Sequence, residues 1–289
     1  MIEFVEDIEQ TSPGSVRRDG GQLSLIPPST HALGEILAIA HRTRTALDVP
    51  GSDSRPTRPA LRLDRLDGII AVDDVSRILH VQAGIPLGEV EARASDHGWT
   101  LGIPSTHDEE PIGAWLARGA PGRPSKADDP VPQLVAGLEL VLPRGEELTI
   151  RPAPRRAVGP DLIRVVIGAR GRLGVISGVH MVARRRVLEA DFCFSFVDEK
   201  AASEALFAIR GAGVRPFRAT TTGNTLQVVI ESEGPRHRAA IEVMKRIVEQ
   251  RHGRPTDPSR SAPSREPIPE SGALLDRLAP ELDPHAILQ

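Results

Sequence analysis

Apolar positions along this chain switch between a helical period and a strand period, and each switch marks an element. Leu33, Ile36, Leu37 and Ala40 keep the spacing of one helix face, with Ser29 or Thr30 in front as a cap. Leu87, Val90 and Ala94 repeat that pattern behind Gly84-Ile85-Pro86, and Gly98 closes it. Leu23–Ile26 predicts a short strand stopped by Pro27-Pro28, whereas Met1–Gly21 shows no sustained period and predicts a loosely held lead-in. Leu61–Asp64, Gly68–Val72 and Ile78–Ala83 read as half-buried strands, the last two divided by the turn formers Asp73 and Asp74. Leu134–Leu142 is a longer strand that turns at Pro143-Arg144-Gly145 into a return over Glu147–Ile150.

The densest stretch is Val158–Ile176. A short helix with Leu162, Val165 and Val166 follows Asp161, whose carboxylate can accept the free N–H groups of the first turn. Gly168, Gly171 and Gly174 then precede a β-branched strand start, Val175-Ile176. Such glycines allow a tight turn and a close approach to a ligand; they equally suit a helix cap and a turn into a core strand. Spacing alone leaves both readings open. The strand runs on through Val179–Val182 to Arg184-Arg185-Arg186, which reads as a solvated strand exit.

After Leu188 the pattern becomes strand, helix, strand, helix: Ala190–Val197, Glu199–Arg210, Thr225–Ile230 and Pro235–Arg251. The last helix carries Ala240, Ile241, Met244, Ile247 and Val248 on one face. Pro255–Pro269 is a patternless linker, and Leu274, Leu275 and Leu278 form a short amphipathic run before the terminus. The expected division is a domain over 1–186, a reduced α+β cap over 187–253, and a linker with a returning terminal segment over 254–289.

Composition narrows the function classes. A net charge of −3 gives no electrostatic case for nucleic acid. Only Lys126, Lys200 and Lys245 are lysines among 36 basic residues, a bias we read as the mark of a GC-rich genome. No apolar run is long enough to span a bilayer and nothing resembles a signal peptide, so membrane insertion is not expected. Cys193 is alone, which rules out an internal disulfide and agrees with a cytoplasmic protein. The chain has no tyrosine to serve as an acid or base. His107, Asp108, Glu109 and Glu110 are adjacent on a loop and lack metal-ligand spacing, so they read as solvated; His180 and His237 read as structural.

From about Leu25 to Val182 the order of pieces resembles the FAD-linked oxidase family with the two-lobed flavin domain of vanillyl-alcohol oxidase (PCMH) type. Gly159, Asp161, Leu162, Gly168, Gly171, Leu173, Gly174, Val175 and Ile176 keep the pattern of that family's third flavin loop. Val81-Gln82-Ala83-Gly84, Ile112-Gly113-Ala114-Trp115 and Val135–Gly145 resemble further family segments, and Leu282-Asp283-Pro284 to Gln289 resembles its closing motif. The resemblance implies an α+β, two-subdomain fold holding an extended, non-covalent FAD. It places the cofactor along Pro50, Gly51, Ser52, Asp53 and Ser54, along Pro104, Ser105, Gly113, Arg118 and Gly122, and along Gly171, Gly174, Val175 and Ile176. Backbone N–H groups of such loops would satisfy the diphosphate.

Several positions depart from the family pattern. Two glycines of the first loop are replaced, Pro50 deletes one N–H donor, and Asp53 sets a negative charge near a diphosphate unless an arginine, Arg55 or Arg58, offsets it. Pro111 and Ala114 alter the second loop, and Arg170 and Arg172 the third. No His or Cys stands at a covalent attachment position. Two functions follow from the resemblance. One is an FAD-binding oxidoreductase subunit, similar to the FAD subunit of glycolate oxidase, that oxidises a small hydroxy acid or passes electrons to a partner redox subunit. The other is a flavin-free pseudoenzyme acting as a binding or regulatory partner.

Overall fold

The computed structural model describes residues 2–19, 21–53, 55, 57–103, 105–121, 134–153, 161–186, 188–216, 218–232, 235–256 and 272–288. The chain divides into two compact units, one built on Met1–Arg123, Val131–Arg184 and Glu266–Gln289, the other on Arg185–Arg265. Residues 54, 104, 122 and 158–160, which carry part of the sequence argument, lie outside the described residues.

In the first unit the lead-in is better ordered than its sequence predicts. Helix α1 (Ile2–Thr11) buries Phe4, Val5 and Ile8, one face of a helix too short to show a sustained period, and Asp7 is paired with Arg42. Strands β1 (Val16–Asp19) and β2 (Gln22–Leu25) form a hairpin. Helix α2 (Thr30–Thr43) follows, with the Ser29 side chain accepting the Ala32 N–H and Leu33, Ile36, Leu37 and Ala40 buried, as the periodicity demands. Strand β3 is only Ala60–Leu61, parallel to β2. The Arg62 N–H still donates to the Leu25 carbonyl, but the expected strand over Leu61–Asp64 goes no further because the chain turns, with the Leu66 N–H bonded to the Leu63 carbonyl.

The main sheet is antiparallel. Strands β4 (Ile69–Asp73) and β5 (Ile78–Gln82) lead into helix α3 (Leu87–Asp96), short strand β6 (Trp99–Thr100) and helix α4 (Ile112–Ala117). Strands β7 (Val135–Val141) and β8 (Glu147–Ile150), helix α5 (Leu162–Val166) and strand β9 (Val175–Val182) complete it, in the order β4-β5-β9-β7-β8. Leu79, Val81, Leu138, Leu140, Val179 and Met181 are buried on one face of the three middle strands, and the positions between them lie on the other.

The second unit takes over at Arg185, within β10 (Arg184–Arg185), and holds β11 (Leu188–Ser195), helix α6 (Glu199–Gly211), β12 (Arg218–Thr222), β13 (Thr225–Ser232), helix α7 (Pro235–Gln250) and β14 (Arg254–Thr256). Its sheet runs β12-β13-β11-β14 over a core of Phe194, Phe196, Ala205, Ile209, Val228 and Met244. The edge strands β12 and β14 are not visible in the hydrophobic pattern: one is a polar threonine run and the other contains Pro255. Helix α8 (Gly272–Leu282) and the terminus belong to the first unit. The Leu47 N–H donates to the Ile287 carbonyl, and the Asp283 carboxylate accepts the Ile287 and Leu288 N–H groups at 3.0 and 2.9 Å.

Candidate functional site

The first loop is a turn made by its own residues. Pro50 and Gly51 occupy the two central positions, Gly51 at φ +89°, and the Ser52 N–H donates to the Val49 carbonyl at 3.0 Å. This is the type II arrangement, in which proline presets the first corner and glycine takes the left-handed second one. The Ser52 hydroxyl donates to the Val49 carbonyl and accepts the Val49 N–H, at 2.8 and 3.1 Å. Pro50, which the sequence marks as the loss of a donor, is therefore also what shapes the loop.

Three loops converge on α4. The Gly113 N–H donates to the Ala83 carbonyl at 2.8 Å, tying in the Val81–Gly84 segment. The N–H groups of Gly168 and Arg170 donate to the carbonyls of Leu116 and Ala117 at 3.1 and 2.9 Å, tying in the third loop. A side chain on Gly51 would stand 2.4 Å from the Ala117 methyl, and one on Gly171 would stand 2.4 Å from Val49 Cγ2. Glycine is required at both positions because each backbone packs directly against a neighbouring side chain. Trp115 is fully buried beneath them, with Nε1 donating to the Pro121 carbonyl at 2.9 Å.

The charges are arranged across the same loops. Arg170 Nη1 meets Asp53 Oδ1 at 3.0 Å, so the partner of Asp53 is neither Arg55 nor Arg58 but the arginine of the third loop. Two departures from the family pattern thus neutralise each other. Glu110 accepts from Arg118, and its other oxygen lies 3.1 Å from His107 Nδ1, so His107 and Glu110 are a clamp and not a solvated run. Arg118 is held below the ordinary arginine value, first by burial and then by the nearby Arg170. Among the described residues the N–H groups of Gly51, Asp53 and Ala114 have no acceptor. Beside them lies a cavity of about 260 Å³ lined by Pro50, Ala83, Gly84, Pro111 and Ala114, with the Arg62–Asp64 ion pair at its edge.

The structure brings together Pro50, Gly51, Ser52, Asp53, Gly113, Arg118 and Gly171. Ser105 opens a short 3-10 turn and joins none of these contacts. Gly174 packs against Val141 and Leu140, and the Val175 and Ile176 side chains are buried in the sheet. Ser54, Pro104 and Gly122 lie outside the described residues. Arg170 pairs with Asp53 and Ala114 lines the cavity, although both read as losses; the signal for Arg170 was the opposite charge of Asp53 in the facing loop.

These features, glycine-bearing loops drawn onto one short helix beside an antiparallel sheet, define the class. Residues 22–151 match the FAD binding domain family. The chain is 30% identical over 135 residues to alkyldihydroxyacetonephosphate synthase of Caenorhabditis elegans, covering 46% of this chain and 22% of that one. It is 29% identical over 154 residues to an uncharacterized FAD-linked oxidoreductase of Escherichia coli (strain K12), covering 52% and 32%. The fold is also that of p-cresol methylhydroxylase, with a TM-score of 0.71 at 11% identity over 97% of this chain and 72% of that one. Residues 22–151 therefore form an FAD-binding domain, the fold is of the PCMH type, and the cofactor of that domain is FAD. The matched stretches span only about a fifth to a third of the length of these curated relatives.

The residues present fit the diphosphate of FAD. Three backbone donors without acceptors and two arginines stand together, and the carboxylate that would repel a diphosphate is paired. The cavity of about 260 Å³ is smaller than a whole FAD, and its wall is mostly apolar, so the donors and arginines beside it, not the cavity itself, suit the diphosphate. No described helix is long and apolar enough to cross a membrane.

Proposed function

We propose that the chain binds FAD non-covalently and serves as the flavin module of an oxidoreductase, acting on a small hydroxy acid or relaying electrons to a partner redox subunit in the cytoplasm. The observation that carries this reading is the meeting of the three loops on α4, with the N–H groups of Gly51, Asp53 and Ala114 beside Arg118 and Arg170. In it, those N–H groups hold the diphosphate, Arg118 and Arg170 turn toward it from Glu110 and Asp53, and Pro50, Ala83 and Pro111 wall the cavity beside it. FAD, when bound, supplies hydride acceptance and onward electron transfer. The hydroxy-acid assignment rests on the similarity to the glycolate oxidase FAD subunit.

One observation favours the second reading, a flavin-free binding partner: Gly51 and Gly171 are closed down upon by Ala117 and Val49, so the loops fill each other's glycine positions. Titration of the purified chain with FAD, followed by flavin fluorescence, separates the two. The first reading predicts saturable binding of one FAD per chain, weakened about tenfold in Arg118→Ala, the loss of one charge-assisted hydrogen bond of about 1.5 kcal/mol. Saturable binding that Arg118→Ala leaves unchanged would refute the placement, and no binding would leave the second reading. Anaerobic bleaching of the bound flavin by glycolate or lactate then tests the substrate class.

A further inference from the structure

The outward face of the main sheet carries a cluster that the flavin reading does not use. His80 on β5 and His180 on β9 are direct cross-strand partners. Glu139 on β7 is paired with Gly178 one row along, and Gly137 is paired with His180. All three side chains project from the face opposite the buried Leu79, Val81, Leu138, Leu140, Val179 and Met181. Each is partly exposed, His80 by 20% and Glu139 by 26% of its side chain, so the cluster is open to small solutes.

Two glycines shape it. A Cβ on Gly178 would lie 2.3 Å from Glu139 Oε2, so the carboxylate lies across the backbone of β9 where any other residue would block it. A Cβ on Gly137 would lie 2.9 Å from His180 Cδ2, so the imidazole likewise occupies space that a side chain would fill. The carboxylate thereby reaches His80, with Oε1 2.9 Å from Nε2. That approach lacks the direction of a hydrogen bond: His80 Nε2 is buried and has no hydrogen-bond partner. The rings of His80 and His180 stack at 3.9 Å, and one ligand atom from each of the three residues lies within 4.8 Å of the others.

We infer that His80, Glu139 and His180 form a divalent transition-metal site that pins β5, β9 and β7 together. Two imidazole nitrogens and one carboxylate oxygen are a donor set that suits Zn²⁺ and its borderline neighbours and disfavours Mg²⁺ or Ca²⁺, which take oxygen ligands. The stacked rings turn apart by rotation about their side-chain bonds to present their nitrogens to one ion. Three protein ligands leave at least one position for water, consistent with the exposure of the cluster. The inference stands apart from the flavin reading, since it invokes no residue of the three loops.

The test uses the full chain, free of any affinity tag and stripped with a chelator, titrated with Co²⁺ as a coloured substitute and then with Zn²⁺. The expected result is one equivalent of Co²⁺ with visible ligand-field bands, displaced by Zn²⁺, and a Zn²⁺-dependent rise in Tm. Glu139→Gln and His180→Ala should each weaken binding at least tenfold and remove the Tm rise, while His31→Ala, at an exposed i,i+4 pair, leaves both unchanged. Should His180→Ala fail to fold, Glu139→Gln, which keeps the shape of the side chain, decides. Absence of saturable Co²⁺ binding, or binding that Glu139→Gln and His180→Ala leave intact, overturns the inference.

Discussion

Replacing Gly171 by alanine probes the contact on which the loop cluster depends. The residue sits at φ +80°, where an alanine pays about 1 kcal/mol for the left-handed backbone. Its new methyl would also stand 2.4 Å from Val49 Cγ2, well inside any tolerated contact, and Val49 is buried and anchors the first loop. Overpacking of that kind costs about 1–3 kcal/mol, so the total loss is about 2–4 kcal/mol. Gly14→Ala separates the two contributions. Gly14 has φ +76° in the same unit and nothing within 4 Å of the place its new methyl would take, so it should lose only about 1 kcal/mol. Urea denaturation of both variants, followed by tryptophan fluorescence because Trp115 lies under the cluster, measures the difference. Equal losses in the two variants would refute the close loop-to-loop contact.

Asp53→Asn should tighten FAD binding several-fold, because it removes a negative charge from the first loop and releases Arg170 from that pair; as the pair is exposed, the stability of the protein should change by less than about 1 kcal/mol in the same denaturation assay. Trp115→Ala should destabilise the first unit by about 3–5 kcal/mol, seen by calorimetry, since the ring is wholly buried and its N–H is satisfied. His41 is held below its ordinary value of 6.5, first by burial, then by His285 and Arg144, against the opposing pull of Asp283 and Glu146. The folded state therefore disfavours the protonated ring: its contribution is intact above about pH 6.5 and is lost as pH falls below it. His41→Gln should flatten that part of the Tm–pH profile.

Much of the fold was legible in the chain because its elements bury one face each. The α2 stripe, the α3 stripe and the β5, β7 and β9 strands all appear where period and punctuation place them. Helix α1 was missed because ten residues with three buried positions give too short a pattern, and β12 and β14 because edge strands need no apolar alternation. The site was legible only in its glycines. Asp53 and Arg170, read one at a time, look like damage; 117 residues apart, they can be recognised as a pair only once the loops are folded together. His80, Glu139 and His180 were likewise invisible as a group, since cross-strand register, not sequence spacing, brings them to one patch.

The visible absorbance spectrum of the purified chain, before and after incubation with FAD and removal of the excess, tests the central claim most directly. A bound flavin gives a yellow protein with the two flavin bands, at one FAD per chain, and is released on denaturation, as non-covalent binding requires. A colourless protein that retains no FAD after incubation would contradict the claim.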